Sequence, residues 1–276
     1  MKYYAVIGFP LSHSFSPQIH NAAFRFLNMD AEYVKQEIPP DDFERCVAAL
    51  KTQDWRGFNV TVPFKERIVS FVDELDDTAR IIGAVNTIQI EAGGRWKGFN
   101  TDAYGFLQPL QALNSVPRSI LLIGAGGAAR AVLYALITQY PQVKLSLANR
   151  TISKAQKLAR DFSVNTSAAI NTMDLAQAES SGQKYDLVVN TTSVGMGALR
   201  GLKPLILRGL VHENSIVYDL IYNPEITILL REAEELGVRT FNGWPMLLHQ
   251  AAKSFEIWSG IPFPQEVLRD LLKKPL

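Results

Sequence analysis

A chain of 276 residues with 47% hydrophobic and 20% charged residues has the composition of a folded protein with room for two modest domains, which excludes an extended disordered polymer. Its 28 Lys and Arg against 27 Asp and Glu leave a net charge of +1, so no global field favours nucleic acid or an anionic membrane surface as partner. The single cysteine, Cys46, excludes an internal disulfide, and the apolar series Phe43, Cys46, Val47, Leu50 reads it as a small core residue.

In chain order, the first third alternates strand and helix. Apolar runs and β-branched residues predict strands at Tyr3–Gly8, Ala31–Ile38 and Gly57–Val62, with helices over about 17–28 and 41–53 between them. Residues 64–75 read as helical, and Val85–Ile90 with Arg95–Asn100 reads as a hairpin turning at Gly93 and Gly94. The opening run Met1–Gly8 is too short for a signal peptide and no apolar run reaches bilayer length, so a cytoplasmic location is expected.

From about Thr101 a helix leads through Pro117 to Ile120–Ile123, an apolar strand that runs into Gly124, Ala125, Gly126, Gly127, Ala128, Ala129 and Arg130. That sequence is a dinucleotide-binding signature. Gly124 permits the tight turn, Gly126 removes a side chain where pyrophosphate approaches the backbone, and Ala129 lets helix and strand pack closely. The helix start offers free N–H groups to phosphate. The next strand, Val143–Ala148, ends in Asn149, Arg150 and Thr151, where an NAD-binding unit carries an acid for the ribose hydroxyl. Arg150 instead supplies a planar, permanently charged fork suited to a 2′-phosphate, with Lys154 a turn further on, which points to NADP. Thr151 also suits the N-cap of a helix over 153–161. Strands at Asp186–Asn190, Ser215–Leu220 and Val238–Phe241 complete one doubly wound sheet, and helices over 245–258 and 264–273 return to the first domain. The expected fold is therefore α/β, with an N-terminal substrate domain (1–102 and 243–276), a Rossmann-type NADP domain (103–242) and a cleft between them.

Polar residues in apolar settings mark the chemistry. Ser12, Ser14 and Ser16 alternate along an extended loop, a neutral donor array suited to a carboxylate or diol, although Ser16 before Pro17 equally fits an N-cap. Pro63 reads as a helix start, which puts Lys65 in a first turn where the dipole disfavours a cation by roughly 0.3–1 kcal/mol; a lysine placed against preference beside Asn59 and Thr61 is a functional candidate. Asp102 stands where N-caps belong. Asn86, within a strand pattern, needs a buried partner or a ligand. Gln250 falls on the buried stripe Leu247, Gln250, Ala251, Ser254, Trp258, where its amide bonds either core groups or a ligand. His13, His20, His212 and His249 lack metal-ligand spacing, so no metal is expected.

Nine segments in order then resemble the shikimate dehydrogenase family from end to end: Gly8–Asn21, Asn59–Lys65, Gly83–Thr87, Asn100–Asp102, Gly124–Arg130, Asn149–Thr151, Asn190–Met196, Tyr218–Pro224 and Gly243–Ala252. The resemblance implies NADP-dependent interconversion of 3-dehydroshikimate and shikimate, on the path to chorismate and aromatic amino acids, by a monomer or homodimer. It implies that Ser14 and Ser16 bind the substrate carboxylate, that Asn59, Thr61, Lys65, Asn86, Asp102, Tyr222 and Gln250 surround its hydroxyls and ring, and that Lys65 and Asp102 are the catalytic pair. On the cofactor side it implies Gly124–Arg130, Asn149–Lys154, Leu220, Gly243 and Asp77. Two positions depart from the family pattern: Lys154 stands where arginine is frequent, and Asn242 where aspartate is. The alternatives are a quinate/shikimate dehydrogenase with NAD use, against which Arg150 speaks, and a non-catalytic NADP-sensing module, against which the retention of both Lys65 and Asp102 speaks.

Overall fold

The computed structural model describes residues 1–111, 113, 116–163 and 169–273. The chain divides into two compact units, Met1–Gln108 with Leu247–Leu276, and Pro109–Met246, the boundaries falling inside two helices.

The first unit is built on β1 (Lys2–Gly8), α1 (Ser16–Phe26), β2 (Ala31–Glu37), α2 (Phe43–Leu50), β3 (Trp55–Val60), β4 (Glu74–Leu75), α3 (Asp77–Ile82), β5 (Thr87–Ile90), β6 (Trp96–Phe99) and the start of α4 (Asp102–Gln111). Its sheet has the order β2-β1-β3-β5-β6-β4. Strands β1, β2 and β3 are parallel, and β5 runs antiparallel to both β3 and β6, so β3 and β6 point the same way. Alternation along the strands sends Ala5, Ile7, Phe58, Val60 and Ile88 into one core with Phe43, Val47, Phe64 and Trp96. Tyr4, on the opposite face, stacks with Phe24 of α1 and with Trp258. Cys46 packs partly buried against the first of these cores, as its spacing predicted.

The second unit comprises β7 (Ser119–Ile123), α5 (Gly127–Gln139), β8 (Lys144–Ala148), α6 (Ile152–Ser163), β9 (Ile170–Met173), α7 (Leu175–Ser180), β10 (Leu187–Asn190), β11 (Ile216–Asp219), α8 (Ile228–Glu235) and β12 (Arg239–Phe241). All its strands pair in parallel, in the order β12-β11-β10-β7-β8-β9. Near-continuous apolar strands such as Ile120–Ile123, wholly buried, are what a parallel sheet covered on both faces requires. The chain closes with α9 (Trp244–Ser259) and α10 (Gln265–Lys273), and from Leu247 onward it belongs to the first unit, as the doubly wound reading with returning helices expected.

Several local expectations need correction. Residues 64–75 are not an α-helix: a 3-10 turn covers Arg67–Phe71 and the extended Val72 breaks it before β4. The helix expected over 41–53 is shorter, a 3-10 turn at Pro40–Asp42 leading into α2. The sheet of the second unit gains β9, and α3, α7 and α8 were not anticipated. Their short length gives little periodicity to read; capping marks them better, with Asp76, Asp174 and Thr227 each accepting a backbone N–H at a helix start. The helix expected from Thr101 is α4, and its extension over 112, 114 and 115 lies outside the described residues.

Candidate active site

The direction of the strands gathers the polar residues of the first unit. Because β1, β3 and β6 all run toward one edge of the sheet and β5 starts there, the segments after Gly8, Val60 and Phe99 and the residue before Thr87 share that edge. Main-chain bonds sew it together: Phe9 N–H to Val62 O, Val60 N–H to Asn86 O, Asn86 N–H to Phe99 O and Val85 N–H to Lys65 O, all between 2.8 and 3.0 Å. Lys65, Asn86 and Asp102 therefore meet, although 37 residues separate the first from the last.

Lys65 Nζ donates to Asp102 Oδ2 at 2.6 Å, and the Asn86 amide donates to Asp102 Oδ1 at 2.8 Å. Each carboxylate oxygen thus has its own donor. The Asp102 side chain is 4% exposed and that of Lys65 15%, so this is a nearly buried pair with the ammonium on the more open side. Asp102 opens α4 but does not cap it; its carboxylate is committed to Lys65 and Asn86, which overturns the capping reading. The helix-dipole reasoning for Lys65 also fails, because Pro63 and Phe64 lie in a turn closed by Phe64 N–H to Thr61 O, and no α-helix starts there.

Asn86 is buried and fully engaged. Its Oδ1 accepts from the Thr101 N–H at 2.8 Å, which fixes the amide's orientation since that N–H can only donate. Gln250, 8% exposed on α9, donates to Leu247 O and accepts from Asn86 at 3.3 Å, so its core-bonding reading holds and it also joins the site. Asn59 donates to Asn86 O, Thr87 Oγ1 and Ser254 Oγ, while its Oδ1 accepts from the Tyr33 hydroxyl at 2.7 Å. Thr87, Thr101, Ser254 and Tyr33 were given no role by the sequence. Their signal is faint: threonine and tyrosine are ordinary strand residues, and only Ser254, polar on an apolar stripe, stood out.

Ser14 and Ser16 hydroxyls lie 3.4 Å apart, Ser16 being 7% exposed. The array of three hydroxyls reduces to these two, because Ser12 and His13 form an exposed turn in which Ser12 O accepts from Lys35. Ser16 is not an N-cap: it is the first residue of α1, Phe15 holds the capping position, and no side chain caps it. One turn on, His20 is buried and stacks on Tyr33 with ring centroids 4.4 Å apart; burial holds its imidazole down to about 3, so it is neutral. Thr61 sits at the same edge with its N–H on Ile7 O, and Asp77 is exposed in the first turn of α3.

In the second unit the parallel strands bring Gly124–Arg130, Asn149–Lys154, Leu220–Tyr222 and Gly243 to the C-terminal edge of the sheet, where doubly wound folds bind ligands. Gly124 has φ +113°, and a Cβ there would meet the Thr191 hydroxyl, so only glycine fits. At Gly126 a Cβ would meet nothing within 4 Å: the turn faces open space, as a phosphate approaching the start of α5 requires. Arg150, Thr151 and Lys154 are exposed beside that edge, and Asn149 Nδ2 binds Thr151 O at 2.8 Å. These residues fit NADP. Arg130, in contrast, is paired with Asp161 at 2.7 Å and lies over the Phe162 ring. A Cβ at Gly243 would strike the Leu220 carbonyl, so the chain after β12 packs directly on the segment after β11. Asn242 accepts from the Trp244 N–H as an aspartate would. Tyr222 lies edge-on to Trp244 at 6.4 Å, and burial raises its phenol.

Asp219 organises this edge. Fully buried, it accepts from Asn190 Nδ2 (3.0 Å), the Thr227 hydroxyl (2.7 Å) and the Ile221 N–H (3.1 Å). Burial outweighs those donors and pushes its carboxyl up to about 6 from an ordinary 3.8. The folded state therefore binds the proton more tightly than the unfolded state, and the stability this confers is present in full below about pH 4 and lost as pH rises to about 6. Asp219→Asn, which mimics the protonated form, should gain about 2 kcal/mol relative to wild type between pH 4 and pH 7. Denaturant melts of both proteins at the two pH values check this; a constant difference would refute it.

Two α/β units, one doubly wound with a glycine turn at its ligand-binding edge and one holding a lysine–aspartate pair, define a two-domain dehydrogenase-like protein. Comparison makes this particular. Residues 6–88 match the shikimate dehydrogenase substrate-binding domain, 110–199 the shikimate/quinate 5-dehydrogenase domain, and 243–273 the shikimate 5′-dehydrogenase C-terminal domain. The chain is 42% identical over 276 residues to the shikimate dehydrogenase (NADP(+)) of Dictyoglomus turgidum, covering 100% of this chain and 98% of the relative. The crystal structure of the Aquifex aeolicus shikimate dehydrogenase superposes with a TM-score of 0.87 at 38% identity, covering 99% of this chain and 98% of that one. That of the Thermus thermophilus enzyme, in complex with NADP(H) and shikimate, gives 0.84 at 33% identity with both chains covered in full. The chain belongs to the shikimate dehydrogenase family.

Proposed function

We propose that this protein is an NADP-dependent shikimate dehydrogenase that reversibly reduces 3-dehydroshikimate to shikimate in the cytoplasm, as a monomer or homodimer. The observation that carries the reading is the Lys65–Asp102 pair, 2.6 Å apart and held from its other side by Asn86, in a chain whose full-length relatives are named for this activity. NADPH, when bound, supplies the hydride. The protein's part is the proton and the charge: reduction of a ketone builds negative charge on its oxygen, and an ammonium within hydrogen-bonding reach both stabilises that charge and gives up a proton. Lys65, 15% exposed against 4% for Asp102, is the member of the pair that a substrate oxygen can reach. Asp102, locked between two donors, keeps the ammonium in place and can accept from the product hydroxyl; because both groups act at one oxygen, their protons are shared and neither is the sole base. Ser14 and Ser16 bind the carboxylate without a buried cation, and Thr61, Tyr222 and Gln250 bind the ring and its hydroxyls. Asn59 and Asn86 serve the same substrate through the groups they hold.

On the cofactor side the backbone of Gly124–Arg130 cradles the pyrophosphate while the Arg130 side chain stays on Asp161, Arg150, Thr151 and Lys154 take the 2′-phosphate, and Leu220, Gly243 and Asp77 complete the site. Initial rates with shikimate and quinate, each with NADP and NAD, test the proposal. The expected result is a kcat/KM for shikimate with NADP that exceeds the other three combinations. No turnover of shikimate despite NADP binding would overturn it, and a preference for NAD would overturn the role of Arg150.

A further inference from the structure

We infer that Thr87 is a positioning residue for the Lys65–Asp102 pair, acting through the Asn86 amide; the inference rests on the function proposed above. Thr87 is wholly buried on β5, and its hydroxyl touches more of the site's framework than any ligand role would need. It donates to Asn86 Oδ1 at 3.0 Å, accepts from Asn59 Nδ2 at 3.1 Å and lies 2.7 Å from Ser254 Oγ. With the Thr87 proton on Asn86, Ser254 is the donor in that 2.7 Å contact, and its Oγ lies 3.0 Å from Gln250 O, one turn back on α9. One hydroxyl thus joins β3, β5 and α9.

The consequence reaches Asp102 through geometry. Asn86 presents Nδ2 to Asp102 Oδ1 only while its amide plane is held, and the plane is held on the Oδ1 side by the Thr101 N–H, the Thr101 hydroxyl and Thr87. Removing the Thr87 hydroxyl takes away one of those anchors. It also strips an acceptor from the Asn59 amide and a partner from Ser254, all three groups being buried where water cannot replace the lost bond. Asn86 then keeps two of its three Oδ1 anchors, both from Thr101, so its amide can tilt about them and the carboxylate that orients the Lys65 ammonium is held less tightly. A misplacement of a fraction of an ångström at the reacting atoms is felt in kcat rather than in binding.

Two substitutions separate this from simple packing. Thr87→Val keeps the volume and loses the hydroxyl; Thr87→Ser keeps the hydroxyl and leaves a methyl-sized gap. A positioning role ranks serine above valine, and a packing role ranks them the other way. With shikimate and NADP, Thr87→Val should lose at least about tenfold in kcat. The KM values for both substrates should stay within about twofold, and the isotope effect with shikimate deuterated at the carbon that gives up hydride should rise. Thr87→Ser should remain within about threefold of wild type. Ser254→Ala, which removes the anchor but not the hydroxyl, should lose about two- to fivefold. A Thr87→Ser enzyme as poor as Thr87→Val, or a Thr87→Val enzyme with wild-type kcat, overturns the inference. A substrate-independent readout is the carboxyl 13C chemical shift of Asp102 in the free protein, which should move in Thr87→Val and not in Thr87→Ser; an unmoved resonance overturns it even if wild type fails to oxidise shikimate, which would be the failure of the proposed function instead.

Discussion

Lys65→Ala is expected to lower kcat for shikimate oxidation with NADP by about 10³-fold while shikimate KM changes by less than about fivefold. General acid–base catalysis by a positioned side chain contributes on the order of 10²–10⁴ in rate, and Lys65 is the group at this site that can both carry a proton and offset charge on the substrate oxygen. In the function proposed above the ground-state contacts are spread over two serines, a threonine and the Gln250 amide, so loss of the ammonium should leave most of the binding intact. The variant also leaves Asp102 nearly buried with Asn86 as its remaining side-chain donor. Lys65→Ala and Asp102→Asn should therefore be strongly non-additive, the double variant being little worse than either single one, as for groups that act as a unit. Steady-state kinetics on the three variants decide the matter. If Lys65→Ala raises KM and spares kcat, Lys65 is a binding residue and the assignment falls.

The second large effect belongs to the other unit. Arg150→Ala should cut kcat/KM for NADP by about 10- to 100-fold and leave that for NAD within about threefold, since a hydrogen bond to a charged group is worth about 1.5–3 kcal/mol and solvent exposure favours the lower end. Arg150→Lys should fall between, because an ammonium keeps the charge and loses the fork. The NADP effect should shrink at high salt while the NAD values stay put. An unchanged NADP-to-NAD ratio in Arg150→Ala would transfer the 2′-phosphate to Thr151 and Lys154.

The glycine turn and five of the six strands of the second unit, all but β9, were legible because each is a local event: a strand, a positive φ, a helix start. The first unit was legible in its elements and less so in its site. Asn86 stood out as a polar residue in a strand pattern, and it is indeed buried and bonded, as is Asn59 beside it in the sheet. What they bond could not be read, because a strand's partners depend on register, and register is set by pairings such as Asn59↔Thr87 and Thr87↔Phe99 that no local pattern encodes. Lys65 was singled out for a reason that proved false, a helix start at Pro63, and the structure pairs it with Asp102. Asp102 and Ser16 were misread in the opposite sense: a helix start suggested caps, and the structure spends or frees those side chains for other partners. Local preference describes what a residue does for the backbone, and at a site the residue is doing something else.

The β5–β6 hairpin holds Asn86 and Asp102 at one end and the exposed residues Gly93 and Gly94 at the other. Side chains alternate faces with a period of two, so one residue inserted between Thr87 and Ile90 would force either a bulge or an exchange of core and site faces. An insertion at the exposed Gly93–Gly94 turn falls outside the β5–β6 pairs, which run from Thr87↔Phe99 to Ile90↔Trp96, and so need shift none of them. The hairpin tip is therefore a port at which a tag or reporter peptide can be grafted onto the first unit without touching its chemistry.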